Sequence, residues 1–206
     1  MTRPRTSPRR APRQKRAEDT VKILLDATEI VMSREGFHGT TTNHIAQAAG
    51  VSIGTVYQYF PSKEALVEAV VHRMWARELA VLEANGQLLV DAPLETAVRA
   101  LVGTLVAVMF ERLALYARWF EEAPHLGQLD LGLQMSDRAT QVVRLALEQR
   151  NDVRPQNLAF ASDLVVKTVL AVVRTASRDY VREVASGELA EELTQMIARY
   201  LSAKPL

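Results

Sequence analysis

The sequence predicts an all-α protein. Apolar residues recur at three- and four-residue spacing along most of the chain, and no convincing alternating strand pattern appears. Gly and Pro residues cut it into helix-sized lengths, at Gly36, Gly50, Pro61, Gly86, Pro93, Pro124 and Pro155. At 206 residues, 48% of them hydrophobic, the chain is long enough to bury a sizeable core in one or two modest domains.

Leu24, Ala27 and Val31 form the apolar stripe of a first helix, from about Ala17 to Glu35, which Gly36 ends. The hydroxyl run Thr40 to Thr42 offers an N-cap to a second helix carrying Ile45, Ala46 and Ala49, and Gly50 stops it. Ser52 caps a third, with Val51, Val56 and Phe60 facing inward and Thr55, Gln58 and Tyr59 outward. Two short helices across a tight turn, braced by the first, form a small three-helix head. From Pro61 or Ser62 a long helix runs through Leu66, Val70 and Met74 to about Asn85–Gly86. Pro93 opens an apolar helix through Leu101, Leu105 and Val108 that continues or restarts near Tyr116. Pro124, Gly127 and Gly132 punctuate a connection, and a further helix spans about Gln134 to Arg150. After Pro155 a broadly apolar stretch reaches about Ala185, and Glu188 to Leu201 is amphipathic through Leu189, Leu193, Met196 and Tyr200.

Residues 41–64 thus read as a helix-turn-helix, whose second helix has the geometry of a major-groove reader. Gly50-Val51-Ser52-Ile53-Gly54 also matches the Gly-x-Ser-x-Gly pattern of a hydrolase nucleophile elbow. That chemistry needs a strand before the serine, and here the preceding residues have helical spacing. No other catalytic set assembles. The four histidines lack His-x-x-x-His spacing, no Gly-rich phosphate loop follows a strand, and carboxylate pairs such as Glu121–Glu122 suit solvated helix faces. We therefore expect neither an enzyme, nor a metal site, nor a cofactor.

The order Thr41-Thr42, Ile45-Ala46, Ala49-Gly50-Val51-Ser52, Gly54-Thr55-Val56-Tyr57, Tyr59-Phe60 and Ser62-Lys63-Glu64 resembles the signature of the tetracycline-repressor (TetR) family of bacterial regulators. With its preceding helix the resemblance covers roughly residues 17 to 85. After a basic arm at 1–16, which its composition predicts to be disordered, it implies a helix-turn-helix DNA-binding domain at 17–63 and a larger helical effector-binding and dimerisation domain at 64–206. It implies further that a homodimer binds palindromic double-stranded DNA and that a small-molecule effector releases it. By resemblance and by face, Asn43, Ile53, Gly54, Thr55 and Gln58 are the base readers, with Gln58 able to pair bidentately with an adenine edge. Gly54, lacking a Cβ, would also allow close approach to the DNA. Many relatives carry a basic or aromatic residue at the place of Gln58 and His at that of Tyr59, so the operator is left open.

Charge supports the same assignment. Residues 1–16 carry seven Lys or Arg and no carboxylate; without them, 18 basic residues face 24 acidic ones, a net −6. Interspersed with Pro4, Pro8 and Pro12, this tail has almost nothing to bury. It is either a solvated extension or an arm that lies along phosphates or enters a minor groove. From Gly36 to Lys63 the only formally charged residue is Lys63. Phosphate contacts must then come from the helix N-termini at Thr41/Thr42, Ser52 and Ser62, the hydroxyls of Thr42, Tyr57 and Tyr59, and Lys63. Packing within the head is the alternative role for Tyr57.

In the larger domain, Leu164, Val165, Thr168, Ala171, Val172 and Ala176 make a stripe that, with the final helix, would pair two copies or else complete the monomer core. Met109, Tyr116 and Phe120, with Trp119 beside them, are candidate effector contacts. A stripe of that kind fits core packing equally. No apolar run reaches the roughly 18 residues of a membrane span, the N-terminus lacks a secretory apolar stretch, and there is no Cys. We expect a cytoplasmic protein with no membrane partner. A helical protein-interaction adaptor and an effector-independent DNA-binding regulator are the competing functions.

Overall fold

The structure, a computed structural model, describes residues 12–122 and 131–203, with the side chains of residues 12, 13, 119, 120 and 131–133 left aside. Eleven α-helices are placed among the described residues, in two compact units that divide between Val70 and Val71. Among those residues β pairing is confined to an isolated antiparallel bridge between Val153 and Ser202.

The first unit holds α1 (Pro12–Gly39), α2 (Thr42–Ala49), α3 (Ile53–Tyr59) and the opening turns of α4 (Lys63–Ala84). Its core is Leu24, Ala27 and Val31 from α1, Ile45 and Ala46 from α2, Val56 from α3 and Leu66 from α4, with Val51 and Phe60 packed against it. Two glycines set the corners. Gly36, at φ 72, interrupts α1 in a conformation that a Cβ disfavours, and its carbonyl accepts from the Thr40 hydroxyl (2.6 Å) and amide (3.1 Å). Gly50, at φ 66 and ψ 30, ends α2 in the left-handed region, and the Val51 amide returns to Ala46 O at 3.1 Å.

Helix α1 begins at Pro12, earlier than the expected Ala17. Residues 12–16 of the expected disordered arm are therefore helical, because proline is favoured in a first helical turn and the Gln, Lys and Arg after it are good helix formers. The rest of the arm, 1–11, lies outside the described residues.

The second unit contains the rest of α4 and α5 (Gly86–Asp91), α6 (Leu94–Phe110), α7 (Leu113–Glu122), α8 (Leu131–Leu147), α9 (Leu158–Asp179), α10 (Val181–Ser186) and α11 (Glu188–Leu201). Helix α6 buries Leu94, Val98, Val102, Val106 and Met109, and packs against Leu189, Leu193, Ile197 and Leu201 of α11. Helix α8 packs Ala139, Val143 and Leu147 against α9, which also receives α7. Arg150 fastens the corner after α8. Its guanidinium, almost wholly buried, donates to Leu89 O, Val90 O and Ala92 O and makes a two-pronged pair with Asp152.

Two further boundaries differ from the sequence reading, and one that it left open is a break. The short helix α5 occupies the stretch before Pro93, and the run after Pro155 is two helices, separated at Tyr180 (φ −136, ψ 38). The apolar run after Pro93 breaks between Phe110 and Leu113, where Arg112 N–H reaches Met109 O (3.0 Å) and Leu115 N–H reaches Arg112 O (2.9 Å). Successive tight turns thus end one helix and start the next without Gly or Pro, so Met109 and Tyr116 do not share a helix face. Pro124 and Gly127 fall outside the described residues.

Candidate functional site

The surface formed by α2 and α3 is built by its caps. Thr41 Oγ1 accepts from the His44 amide at 3.1 Å, and Ser52 Oγ from the Thr55 amide at 3.1 Å. Ser52 is thus committed to starting α3, and its hydroxyl also meets Thr55 Oγ1 at 2.9 Å. With Val56 buried, the period of α3 turns Ile53, Gly54, Tyr57 and Gln58 outward, and all four are exposed, as is Asn43 on α2. Tyr57 is 55% exposed, and its hydroxyl lies 3.2 Å from Thr42 Oγ1, which ties α2 to α3 at the outer surface. Tyr59 is exposed at the end of α3, and Thr55 is half-buried.

Lys63 sits differently from the free phosphate donor that its charge suggests. It is half-buried, donates to Phe37 O at 3.0 Å and lies 4.2 Å from the centre of the Phe37 ring. It thereby pins the corner between α1 and α2 with at least one of its three donors. The charge-free stretch also has acidic neighbours. Glu35 Oε2 lies 2.6 Å from His44 Nδ1, and Glu64 occupies the first turn of α4. Hydrogen bonds from its own backbone amide and from Ser62, together with nearby Lys63, hold the Glu64 carboxyl below the usual carboxylate range. The N-terminus of α4 therefore already has a local anion. The N-termini of α2 and α3 have no acidic residue in their first turns.

Within the second unit lies an apolar cavity of about 110 Å³. Leu79, Leu82, Val102, Leu105, Val143 and Val169 are among its walls, and Trp75, Glu78 and Arg174 supply its polar atoms. Glu78, 7% exposed, accepts from Tyr116 Oη at 2.8 Å through Oε1 and from Arg174 Nη2 at 3.3 Å through Oε2. The Arg174 guanidinium lies 5.3 Å from the centre of the Trp75 ring, and its Nε is buried with no hydrogen-bond partner among the described residues.

Met109 and Tyr116 are both 1% exposed and line no part of this cavity. Tyr116 stands one hydrogen bond behind it, on Glu78. The side chains of Trp119 and Phe120 lie outside the described residues. Sequence reasoning missed Trp75, Glu78 and Arg174, although a signal existed. Glu78 interrupts the stripe of Trp75, Leu79 and Leu82, and Arg174 interrupts that of Val166, Val169 and Val173. A charge on a core face is a mark of a functional or paired site.

A three-helix head with a capped, outward-facing α3 defines a helix-turn-helix DNA-binding protein. The model of bacterial regulatory proteins of the tetR family matches residues 24–70, and the tetracyclin repressor-like C-terminal domain matches residues 93–201, more than half of the chain. The chain belongs to the tetR family and is a helix-turn-helix transcriptional regulator, not an enzyme. It is similar to the HTH-type transcriptional regulator UidR of Escherichia coli (strain K12), 27% identical over 198 residues that cover 92% of this chain and 97% of UidR. Similarity to the HTH-type transcriptional regulator RutR of the same organism reaches 46% over 63 residues, 31% of this chain and 30% of RutR. The crystal structure of a TetR-family regulator from Mesorhizobium loti shares the fold, with a TM-score of 0.72 at 22% identity over 91% of this chain and 99% of that one. Among the described residues no helix is long and apolar enough to cross a membrane.

Proposed function

We propose that the protein is a homodimeric repressor that leaves a palindromic operator when a small molecule fills the cavity of its second unit. The observation that carries this reading is the α2–α3 surface, capped and free of charged side chains at the outward positions of α3. Asn43, Ile53, Gly54, Thr55 and Gln58 would read base edges, and Thr42, Ser52, Tyr57 and Tyr59 would position the head on phosphates. Lys63 would contribute its remaining donors. The repressor assignment draws support from the tetracyclin repressor-like match over residues 93–201.

Dimerisation is supported by Leu145 on α8 and by Phe160 and Leu164 on α9, which are 48%, 60% and 41% exposed. The outer face of α11 is less suited, since Glu188, Glu192 and Arg199 accompany Met196 there, and Ala176 of the expected stripe is buried within the monomer. A dimer places two heads on two half-sites. A DNA partner also suits a cytoplasmic location. Release follows if the effector binds the two conformational states with different affinity.

Fluorescence-polarisation binding to DNA from immediately upstream of the gene, competed with unrelated duplex, tests the reading. Competition-resistant binding is the expected result. Equal, weak binding to both duplexes, together with a failed random-sequence selection, would refute it.

A further inference from the structure

The cavity in the second unit carries more chemistry than a generic hydrophobic hole. Among its described walls the charged residues are Glu78 and Arg174, and they pair with one another. Both Glu78 oxygens are engaged, one by Tyr116 and one by Arg174. The polar capacity left over includes a buried donor, the Nε–H of Arg174, which has no hydrogen-bond partner among the described residues and is held beside Trp75. A buried donor left without a partner costs free energy that an acceptor brought by a ligand would recover. We infer that this cavity takes a small, predominantly apolar molecule bearing one uncharged hydrogen-bond acceptor, a ketone, ester or lactone carbonyl, which accepts from Arg174 Nε.

Charge selects against ionised ligands. A carboxylate would enter low-dielectric surroundings beside Glu78, whose charge already neutralises Arg174. An ammonium would meet the Arg174 cation beside a Glu78 carboxylate already engaged by Tyr116 and Arg174. A void of about 110 Å³ is of the order of the roughly 150 Å³ cavity that accommodates benzene, so the occupant is small.

The inference rests on the effector reading of the same cavity, but its test uses no DNA. Isothermal titration calorimetry of the full chain compares 2-pentanone, pentanoate and pentylamine, three probes about the size of benzene with one alkyl chain and different heads. We expect 2-pentanone to bind at least about tenfold more tightly than either ionised probe, the order of one hydrogen bond from a charged donor. Arg174→Lys keeps a cation beside Glu78 but removes Nε, and should weaken 2-pentanone about tenfold. Leu105→Trp, which fills the cavity, should abolish its binding. Pentanoate binding as tightly as the ketone, no binding of any probe, or full ketone affinity in Arg174→Lys would each overturn the proposal. If Arg174→Lys does not fold, the comparison of the three heads on the wild-type chain decides alone. Ketone binding that leaves the DNA complex intact would support the ligand class and refute the effector role. DNA release by a compound that does not displace 2-pentanone, with 2-pentanone bound, would again fault only the regulatory reading of this cavity.

Discussion

Tyr116 shows how one buried hydroxyl can serve structure, donating to Glu78 behind the apolar cavity. Burial, the neighbouring Glu78 charge and the hydrogen bond to it together raise the Tyr116 pKa far above its ordinary value of 10.0. A group with a raised folded-state pKa contributes stability that is fully present below the unfolded pKa and is lost as pH rises beyond it. Denaturant titrations should therefore show stability falling above about pH 10, with that part of the loss absent in Tyr116→Phe. At pH 7 the same variant should lose about 1.5–3 kcal/mol, because a carboxylate loses its donor. On the DNA side, Gln58→Ala should cost about 1–3 kcal/mol of operator affinity and relax preference at one base pair, measurable with a panel of single-site operator variants. The outward face that exposes Gln58 was legible in the sequence, since Val56 and Phe60 mark the opposite face. The engagement of Lys63 with Phe37 was not. A lysine's reach across 26 positions depends on how the corner at Gly36 folds, and nothing in local spacing encodes it.

Helices were legible where a cap and a stop coincide. Thr41 and Gly50 bracket α2, Ser52 starts α3, and both helices fall where those residues predict. The break between α6 and α7 was left open by the sequence because it is made by main-chain hydrogen bonds among Met109, Arg112 and Leu115, residues that also suit an unbroken helix. Met109 and Tyr116, read from that stripe, lie on two different helices, and the polar side chains of the cavity wall stand on α4 and α9. Short α5 was hidden, since six residues carry too little periodicity to read. Its C-terminal carbonyls are held by Arg150, whose side chain is 5% exposed. Arg150→Met should lower stability by about 2–4 kcal/mol in urea titration, because it strands the carbonyls of Leu89, Val90 and Ala92. Recovery of wild-type stability would exclude Arg150 as the fastening of that corner.

At the scale of the whole molecule, the proposed function depends on two copies. Phe160→Glu combined with Leu164→Glu should shift the sedimentation profile from dimer to monomer and weaken operator binding while leaving helical content unchanged. A dimer that survives both changes would move the interface elsewhere. If the two heads together neutralise about six to ten phosphates, log affinity should fall against log salt with a slope near −5 to −9. A much flatter slope would count against the docking mode.

The cavity has one further consequence, in the response to pressure. Collapsing a void of about 110 Å³ per molecule corresponds to roughly 70 mL/mol, within the span of volume changes that drive unfolding under compression. The second unit should therefore carry a soft spot under hydrostatic load, and a molecule that fills the void should harden it. Compressibility then becomes a way to watch the cavity fill before the identity of its occupant is known.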